Sequence, residues 1–266
     1  MSAALPSVGT LLREWRQRRR LSQLDLACEA EISARHLSFV ETGRSAPSRE
    51  MVLRLAEQME IPMRERNTLL VAAGFAPVYP EKSLTDPALD SVRLAIDLML
   101  AAQKPYPAFA IDRHWSIVAS NGALPELYAD VAPFLLESPV NALRLTLHPE
   151  GLAPRVANLG EWRGHLLSRL ERQIQATADS VLLALMREVS EYPGAAGQRD
   201  SHGYAVAVPL KIHVADRLLA FFSMTTVFGT PVDVMLSELA LEFFVPADAA
   251  TAAAIRVMEA AELARA

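Results

Sequence analysis

Ala34, Arg35, His36 and Phe39 fall within one short run, Ser33-Ala34-Arg35-His36-Leu37-Ser38-Phe39-Val40-Glu41-Thr42-Gly43-Arg44. These side-chain types suit the edges of bases. An arginine fork bonds guanine O6 and N7 together, and small or aromatic groups lie against a thymine methyl. Arg35 is the strongest candidate, Ala34 and Phe39 suit the methyl, and His36 suits a base or a phosphate. Around them stand groups suited to the sugar–phosphate backbone: Gln23 and Ser33, then Arg44, Ser45 and Arg49. Contacts of this second kind carry affinity and its salt dependence, but no sequence information.

Side chains can do this only if short helices hold them. Val8, Leu11, Leu12 and Trp15 recur at helical spacing over residues 8–19, with arginines mainly on the other face. Ser22 is a good N-cap for a second helix, with Asp25 favourable in its first turn. That helix is expected to bury Leu24, Leu26 and Ala27, with Cys28 as a small buried residue. Ser33 caps a third helix, which buries Leu37 and Val40 and stops at Gly43. Pro47-Ser48 opens a fourth helix, and Arg64 to Ala73 forms a fifth. Glu41 borders the buried face of the third helix, where an isolated acid is costly, so Arg16 of the first helix is the expected partner. The pair is assigned to structure, not to DNA.

Charge follows the same division. Residues 1–75 hold 11 Lys+Arg and 9 Asp+Glu, a net of +2, and the rest of the chain holds 15 against 22, a net of −7. A basic end on an acidic body is expected if one end meets phosphates. The single cysteine excludes an internal disulfide and a thiolate metal cluster. No signal segment opens the chain and no apolar run reaches about 18 residues, so a cytoplasmic protein with no membrane partner is expected.

The region of about residues 9–62 resembles the XRE (lambda Cro/repressor-type) helix-turn-helix family. The resemblance rests on Leu21-Ser22-Gln23, Leu26-Ala27, Leu37 to Arg44 and Pro47-Ser48. It implies that Gln23 touches phosphate, that Ala34, Arg35 and Phe39 read bases, and that Arg16 bridges to Glu41.

Residues 76–90, with Pro77, Pro80 and Pro87, read as a linker. Beyond them a helix is expected at about 88–102, then a hairpin flanking Asp112-Arg113-His114. Residues 122–192 read as mostly helical, with a long amphipathic element around Glu161–Thr177. Three later runs alternate with period two: Val206 to Ile212, Leu219 to Val227, and Leu239, Leu241 and Phe243 against Glu238, Ala240 and Glu242. They argue for an antiparallel sheet with one wetter face. A helix over Ala249–Ala264 closes the chain. The fold class is therefore multi-domain. An all-α five-helix domain over 1–75 precedes an α+β, PAS-like domain over 91–266.

The sheet face is expected to offer Phe109, Trp115, Phe221, Phe228 and Phe243 beneath helices carrying Leu166, Leu167, Leu170 and Leu183. Trp162 joins this candidate pocket, with Arg144 and Arg163 as arginines able to take a carboxylate. His148 and Glu150 are either its polar end or loop ties. A closed apolar core explains the same residues, and from the residues alone it is the stronger reading, since apolar stripes are core more often than cavity. The strings Asn141 to Leu152, Asn158, Glu161-Trp162-Arg163, Phe221 to Asp233 and Pro246-Ala247-Asp248-Ala249 resemble the MmyB-like domain found C-terminal to XRE-type readers. That resemblance implies a PAS-like fold and a regulatory, ligand-binding role, with a fatty-acyl or other small apolar effector.

Six histidines are scattered, at 36, 114, 148, 165, 202 and 213, with no H-x-x-x-H pair and no nucleophile or phosphate-loop motif. No catalytic residue, metal or bound cofactor is expected. The expected function is sequence-specific transcription regulation, by a homodimer on double-stranded DNA that senses a small apolar effector. The alternative is an autoregulatory DNA-binding protein whose C-terminal domain is an interaction or dimerisation module without ligand.

Overall fold

The computed structural model describes residues 6–194 and 207–264. Val206 of the first alternating run and His202 lie outside them. The chain forms two compact units, the first made chiefly of residues up to Glu81 and the second beginning at Lys82.

Five helices build the first unit: α1 Val8–Arg18, α2 Gln23–Glu29, α3 Ala34–Glu41, α4 Arg49–Gln58 and α5 Met63–Ala72. Four of them start on a serine whose hydroxyl accepts a backbone N–H of the first turn: Ser7, Ser22, Ser33 and Ser48. Each such cap contributes about 1 kcal/mol. Ser22 and Asp25 form a reciprocal capping box. α3 ends at Gly43, whose φ of +73° is costly for residues with a Cβ. Leu12, Trp15, Leu26, Leu37, Val40, Leu55, Leu69 and Leu70 make one core. α1 and α3 approach so closely that a Cβ on Gly9 would stand 2.3 Å from the Val40 carbonyl oxygen.

Two apolar side chains fall elsewhere than expected. Leu24 is 71% exposed and Cys28 is exposed. They are one helical turn apart on a seven-residue helix whose buried stripe is narrow, only Leu26 and Ala27. Within the segment read as linker, Asn67 of α5 binds residues 78–79, accepting from the backbone N–H groups of Val78 and Tyr79 and donating to the Tyr79 carbonyl.

The second unit opens with a 3-10 turn, Pro87–Leu89, and α6 Asp90–Ala102. A hairpin follows, β1 Ala108–Ile111 and β2 Ile117–Ser120. The helical excursion contains α7 Ala142–Leu147, α8 Leu159–Thr177 and α9 Ser180–Glu191, with 3-10 turns between. The chain then returns through β3 Leu210–Val214, β4 Arg217–Val227, the short α10 Val234–Ser237, β5 Ala240–Pro246 and α11 Ala249–Leu263. The five strands form one antiparallel sheet in the order β2-β1-β5-β4-β3.

Both faces of the central strand β5 are covered, so the wet face expected of it is absent. Leu241 and Phe243 meet Ile96 and Leu100 of α6 with Ala108 and Ala110. The opposite face presents Glu242, 3% exposed, beside the main core of the unit. The period-two alternation is present, but helices lie over both faces of β5, α6 on one and α8 on the other. In α9, Leu182, Leu185 and Val189 point inward, and Leu183 is 41% exposed rather than roofing the sheet.

Candidate nucleic-acid interface and ligand pocket

α3 carries the candidate reading face. Its buried side, Leu37 and Val40, is fixed in the core, which turns Arg35 outward. Arg35 is exposed, and Ala34, His36 and Phe39 are partly exposed. Phe39 stands between two cations: the Arg35 guanidinium lies 5.4 Å from its ring centroid and that of Arg44 5.9 Å. Phe39 thus organises both arginines, a role not visible from its type. Ser45 is partly exposed and Arg49 exposed. The Ser33 hydroxyl accepts from His36 N–H at 3.1 Å as the α3 cap, which leaves its own proton to donate.

Behind this face, Arg16 donates bidentately to Glu41, Nε to Oε1 at 2.6 Å and Nη2 to Oε2 at 2.9 Å. Both residues are buried, at 8% and 6% exposure. Arg16 Nη1 also donates to the Leu21 carbonyl, which ties α1 to the turn before α2. The Gln23 side-chain amide donates to Glu41 Oε2 at 2.8 Å. The amide read as a phosphate donor is therefore turned inward, because a buried carboxylate needs donors. Burial pushes the Glu41 carboxyl up, but hydrogen bonds from Arg16 and Gln23 and the Arg16 charge outweigh it, holding the group below the ordinary carboxylate range. Arg18 and Arg19 lie over the Trp15 ring, and Arg19 donates to the Met59 carbonyl at the end of α4.

In the second unit, a cavity of about 70 Å³ lies between the sheet and the helices. Its wall includes Phe109, Trp115, Trp162 and Phe221, four of the residues read as pocket. A more open groove of about 200 Å³ shares Pro107, Phe109, Ile117, Tyr128 and Leu145 with it. Phe228 and Phe243 do not line the cavity; Phe243 belongs to the opposite sheet face and Phe228 packs against that cluster. On β5 the alternation instead brings Phe244 to the cavity, where it meets Phe109 and Phe221.

The two arginines expected at the polar end stand elsewhere. Arg163 is 8% exposed and donates to the carbonyls of Val189, Ser190 and Tyr192. It satisfies the orphan acceptors at the end of α9. Arg144 forms a bidentate pair with Glu188, both contacts 2.7 Å, on the exposed surface. His148 packs edge-on against Phe134 and Tyr192, and its Nδ1 accepts from Glu150 N–H, so it acts as a loop tie.

The polar end is built from residues that the sequence reading passed over. Arg169 of α8 donates to Glu242, and the Arg169 guanidinium lies 4.7 Å from the Trp115 ring centroid. Ser223 Oγ donates to Glu242 Oε2 at 2.9 Å, and Thr225 Oγ1 to Oε1 at 3.1 Å. His165 stacks on Trp162, ring centroids 5.2 Å apart. Burial lowers the His165 pKa, and the Arg169 and Arg172 charges lower it further against the opposing Glu242 charge, which favours the uncharged ring. Trp162 Nε1 is buried with no acceptor among the described residues. The missed signal was Arg169 at i+4 from His165, on the same helix face as Trp162 and Leu166.

A model of the MmyB-like transcription regulator ligand binding domain matches residues 92–258, and a helix-turn-helix domain model matches residues 7–69. A Methanoculleus marisnigri protein described as an HTH-type transcriptional regulatory protein is 34% identical over 116 residues, 42% of this chain and 37% of that protein. The chain thus matches little more than a third of that relative's length. A solved structure of an RNA-binding light-oxygen-voltage receptor aligns with 97% of this chain and 64% of its own, at 13% identity and a TM-score of 0.25, too low to establish a common fold. Among the described residues no helix is long and apolar enough to cross a membrane. With its second unit matched almost throughout and a helix-turn-helix ahead of it, the chain belongs to the family of MmyB-like transcription regulators.

Proposed function

We propose that the chain is a sequence-specific, cytoplasmic DNA-binding regulator that acts as a homodimer and whose second unit senses a small apolar or fatty-acyl effector. One observation carries the DNA half: exposed Arg35, on the helix that follows the capped turn, and exposed Arg44, just past the end of that helix, both approach the Phe39 ring. α3 enters the major groove, Arg35 reads a guanine, and Ala34, His36 and Phe39 complete the base contacts. Gln23, Ser33, Arg44, Ser45 and Arg49 meet phosphates, with Gln23 turning from Glu41 to do so. Two copies meet half-sites about 34–36 Å apart. The role is regulatory rather than catalytic.

The test is selection of a duplex by the full chain, followed by a salt titration on the selected and a scrambled duplex. A preference of at least about 10³ and a steep loss of affinity with salt are expected. Equal affinity for both duplexes would reduce the protein to a non-specific binder. The reading without a ligand, in which the second unit is an interaction module, draws on the α6 face: Leu94 and Leu98 are 60% and 62% exposed. Native mass spectrometry separates the two, since a dimer carrying a noncovalent adduct supports sensing and a dimer without one, even after incubation with acyl lipids, supports the module.

A further inference from the structure

α6 is apolar on two opposite sides. Ile96 and Leu100 pack inward, into the cluster with Ala108, Ala110, Leu241 and Phe243. The approaching chain keeps to that inner side: Leu84 packs on the same cluster, and Arg93 donates to the Leu84 carbonyl. The outward side carries Ser91, Leu94, Ala95, Leu98, Ala101 and Ala102, all exposed, with Leu94 at 60% and Leu98 at 62%. No charged side chain lies along its centre. A surface helix ordinarily turns charge to water, whereas a helix that is apolar on opposite sides has something to bury on both.

The spacing of that face says what fits it. Ser91, Leu94, Leu98 and Ala101 follow the alternating three- and four-residue steps of a helix–helix seam. The pattern is self-complementary about its midpoint. In an antiparallel pair of α6 helices, Leu94 of one copy meets Leu98 of the second, twice by symmetry, and Ser91 meets Ala101. Large side chains fill the centre, and small ones let the backbones close at both ends. Charge agrees with this direction. Asp90 at the start of α6 and Lys104 just past its end are both exposed. An antiparallel pair sets each Asp90 near the second copy's Lys104, whereas a parallel pair sets like charges together at both ends. Asp97 opposes the pair, since it meets its own copy beside the axis.

We infer that α6 is the helix through which two copies of this chain meet, in an antiparallel pair centred between Leu94 and Leu98. The inference rests on the homodimer proposed above and gives it a surface, and it does not depend on what the cavity holds. α6 has 13 residues, which makes it about 20 Å long. One such helix pair buries less than the roughly 1,200 Å² of stable complexes. Met224 of β4, 56% exposed and directly opposite Phe243 in the sheet, adds apolar surface on the sheet face that α6 covers. The pair is therefore reversible in solution, with monomer and dimer in exchange.

The experiment is sedimentation velocity of the full chain over a concentration series, with Leu98→Glu as the variant. The unaltered chain is expected to pass from monomer to dimer as concentration rises, and Leu98→Glu to weaken that association at least about tenfold. Leu98 is exposed, so the variant should unfold thermally as the unaltered chain does. Direction is read by cross-linking with a short bismaleimide in a Cys28→Ser background. Ala95→Cys, beside the axis, should cross-link to its own copy. Ser91→Cys should not, because antiparallel helices carry the two copies of position 91 to opposite ends. A dimer that Leu98→Glu leaves intact overturns the inference, keeps the homodimer and gives the α6 face to another partner. Equal cross-linking at 91 and 95 overturns the antiparallel pair. A chain that stays monomeric at every concentration, free and on its selected duplex, overturns the homodimer and the inference with it. If Leu98→Glu fails to fold, the cross-linking series still decides.

Discussion

Each unit of this molecule pairs a buried glutamate with an arginine, and the two pairs have different surroundings. Arg16–Glu41 lies against the packed helices of the first unit, with Gln23 as a further donor to the carboxylate and the Leu21 carbonyl as a further acceptor for the guanidinium. Arg169–Glu242 is also well supplied, by Ser223, Thr225 and the Trp115 ring, but it borders a partly open cavity. A buried carboxylate paired with an arginine is common to both, so that arrangement does not by itself mark a binding site. What distinguishes them is the unfilled volume beside one pair, together with uncommitted polar groups on His165 and Trp162. A buried ion pair in a closed core fixes how helices meet, whereas the pair in the cavity wall ties α8 to β5 beside unfilled space.

The comparison is tested most severely by breaking the closed pair. Glu41→Ala leaves Arg16 buried without its anion, and such truncations cost about 3–5 kcal/mol. Urea unfolding of the full chain, followed by a probe on Trp15, should show that loss in the transition of the first unit. A loss below about 1 kcal/mol would place Arg16–Glu41 among exposed pairs and remove the contrast.

Acid provides a gentler version of the same break. The Glu41 carboxyl titrates below its ordinary value in the folded state, because hydrogen bonds and charge from Arg16 and Gln23 outweigh burial. The unfolded chain therefore binds its proton first as pH falls. The stabilisation is complete above the unfolded value of about 4.3 and is lost as pH falls through the lowered folded value. Stability of the first unit should thus fall below about pH 4–5. In Glu41→Gln this component of the acid slope should be absent, and an unchanged slope would assign the acid sensitivity to other carboxylates.

On the exposed side of α3 the expected effects are smaller and concern binding, not stability. Arg35→Ala should weaken the selected duplex by about 1–3 kcal/mol and relax the preference at one base position. Unfolding should be little altered, since Arg35 is exposed and its packing is limited to the Phe39 ring. If selected and scrambled duplexes weaken equally, Arg35 contacts phosphate only, and base discrimination lies with other α3 residues.

How legible these features are in the sequence depends on their range. The caps at Ser22 and Ser33, the stop at Gly43 and the strand alternations are local, and they locate nearly every element. The cavity's aromatic wall was partly legible, through Phe109, Trp115, Trp162 and Phe221. Its polar end was not, because Arg169 and Glu242 are far apart in the chain and meet only when α8 lies across β5. Phe243 and Phe244 show the limit on one strand: neighbours of the same type face opposite sides, and only the register of β5 against β1 and β4 tells which side holds the cavity. The demand of Gly9 is likewise invisible locally, since it comes from the Val40 carbonyl on another helix. Arg144 and Arg163 have the right chemistry for a carboxylate, but nearer acceptors claim them.

Arg144 supplies the smallest expected effect and a third term for the comparison. Its bond to Glu188 is bidentate, with both contacts 2.7 Å, as good in geometry as that of Arg16 with Glu41. Its side chain is 45% exposed and that of Glu188 38%, so water competes for both charges. Tyr192 adds a hydrogen bond from its hydroxyl to Glu188 Oε1 at 2.6 Å, and burial followed by the Glu188 contact pushes its pKa up to about 12, so the donor proton stays in place. After Arg144→Ala, Glu188 keeps that donor and regains water. The expected cost in urea unfolding is about 0–1 kcal/mol, falling further with added salt. A cost near that of Glu41→Ala would mean that bidentate geometry, not burial, sets the strength of these pairs.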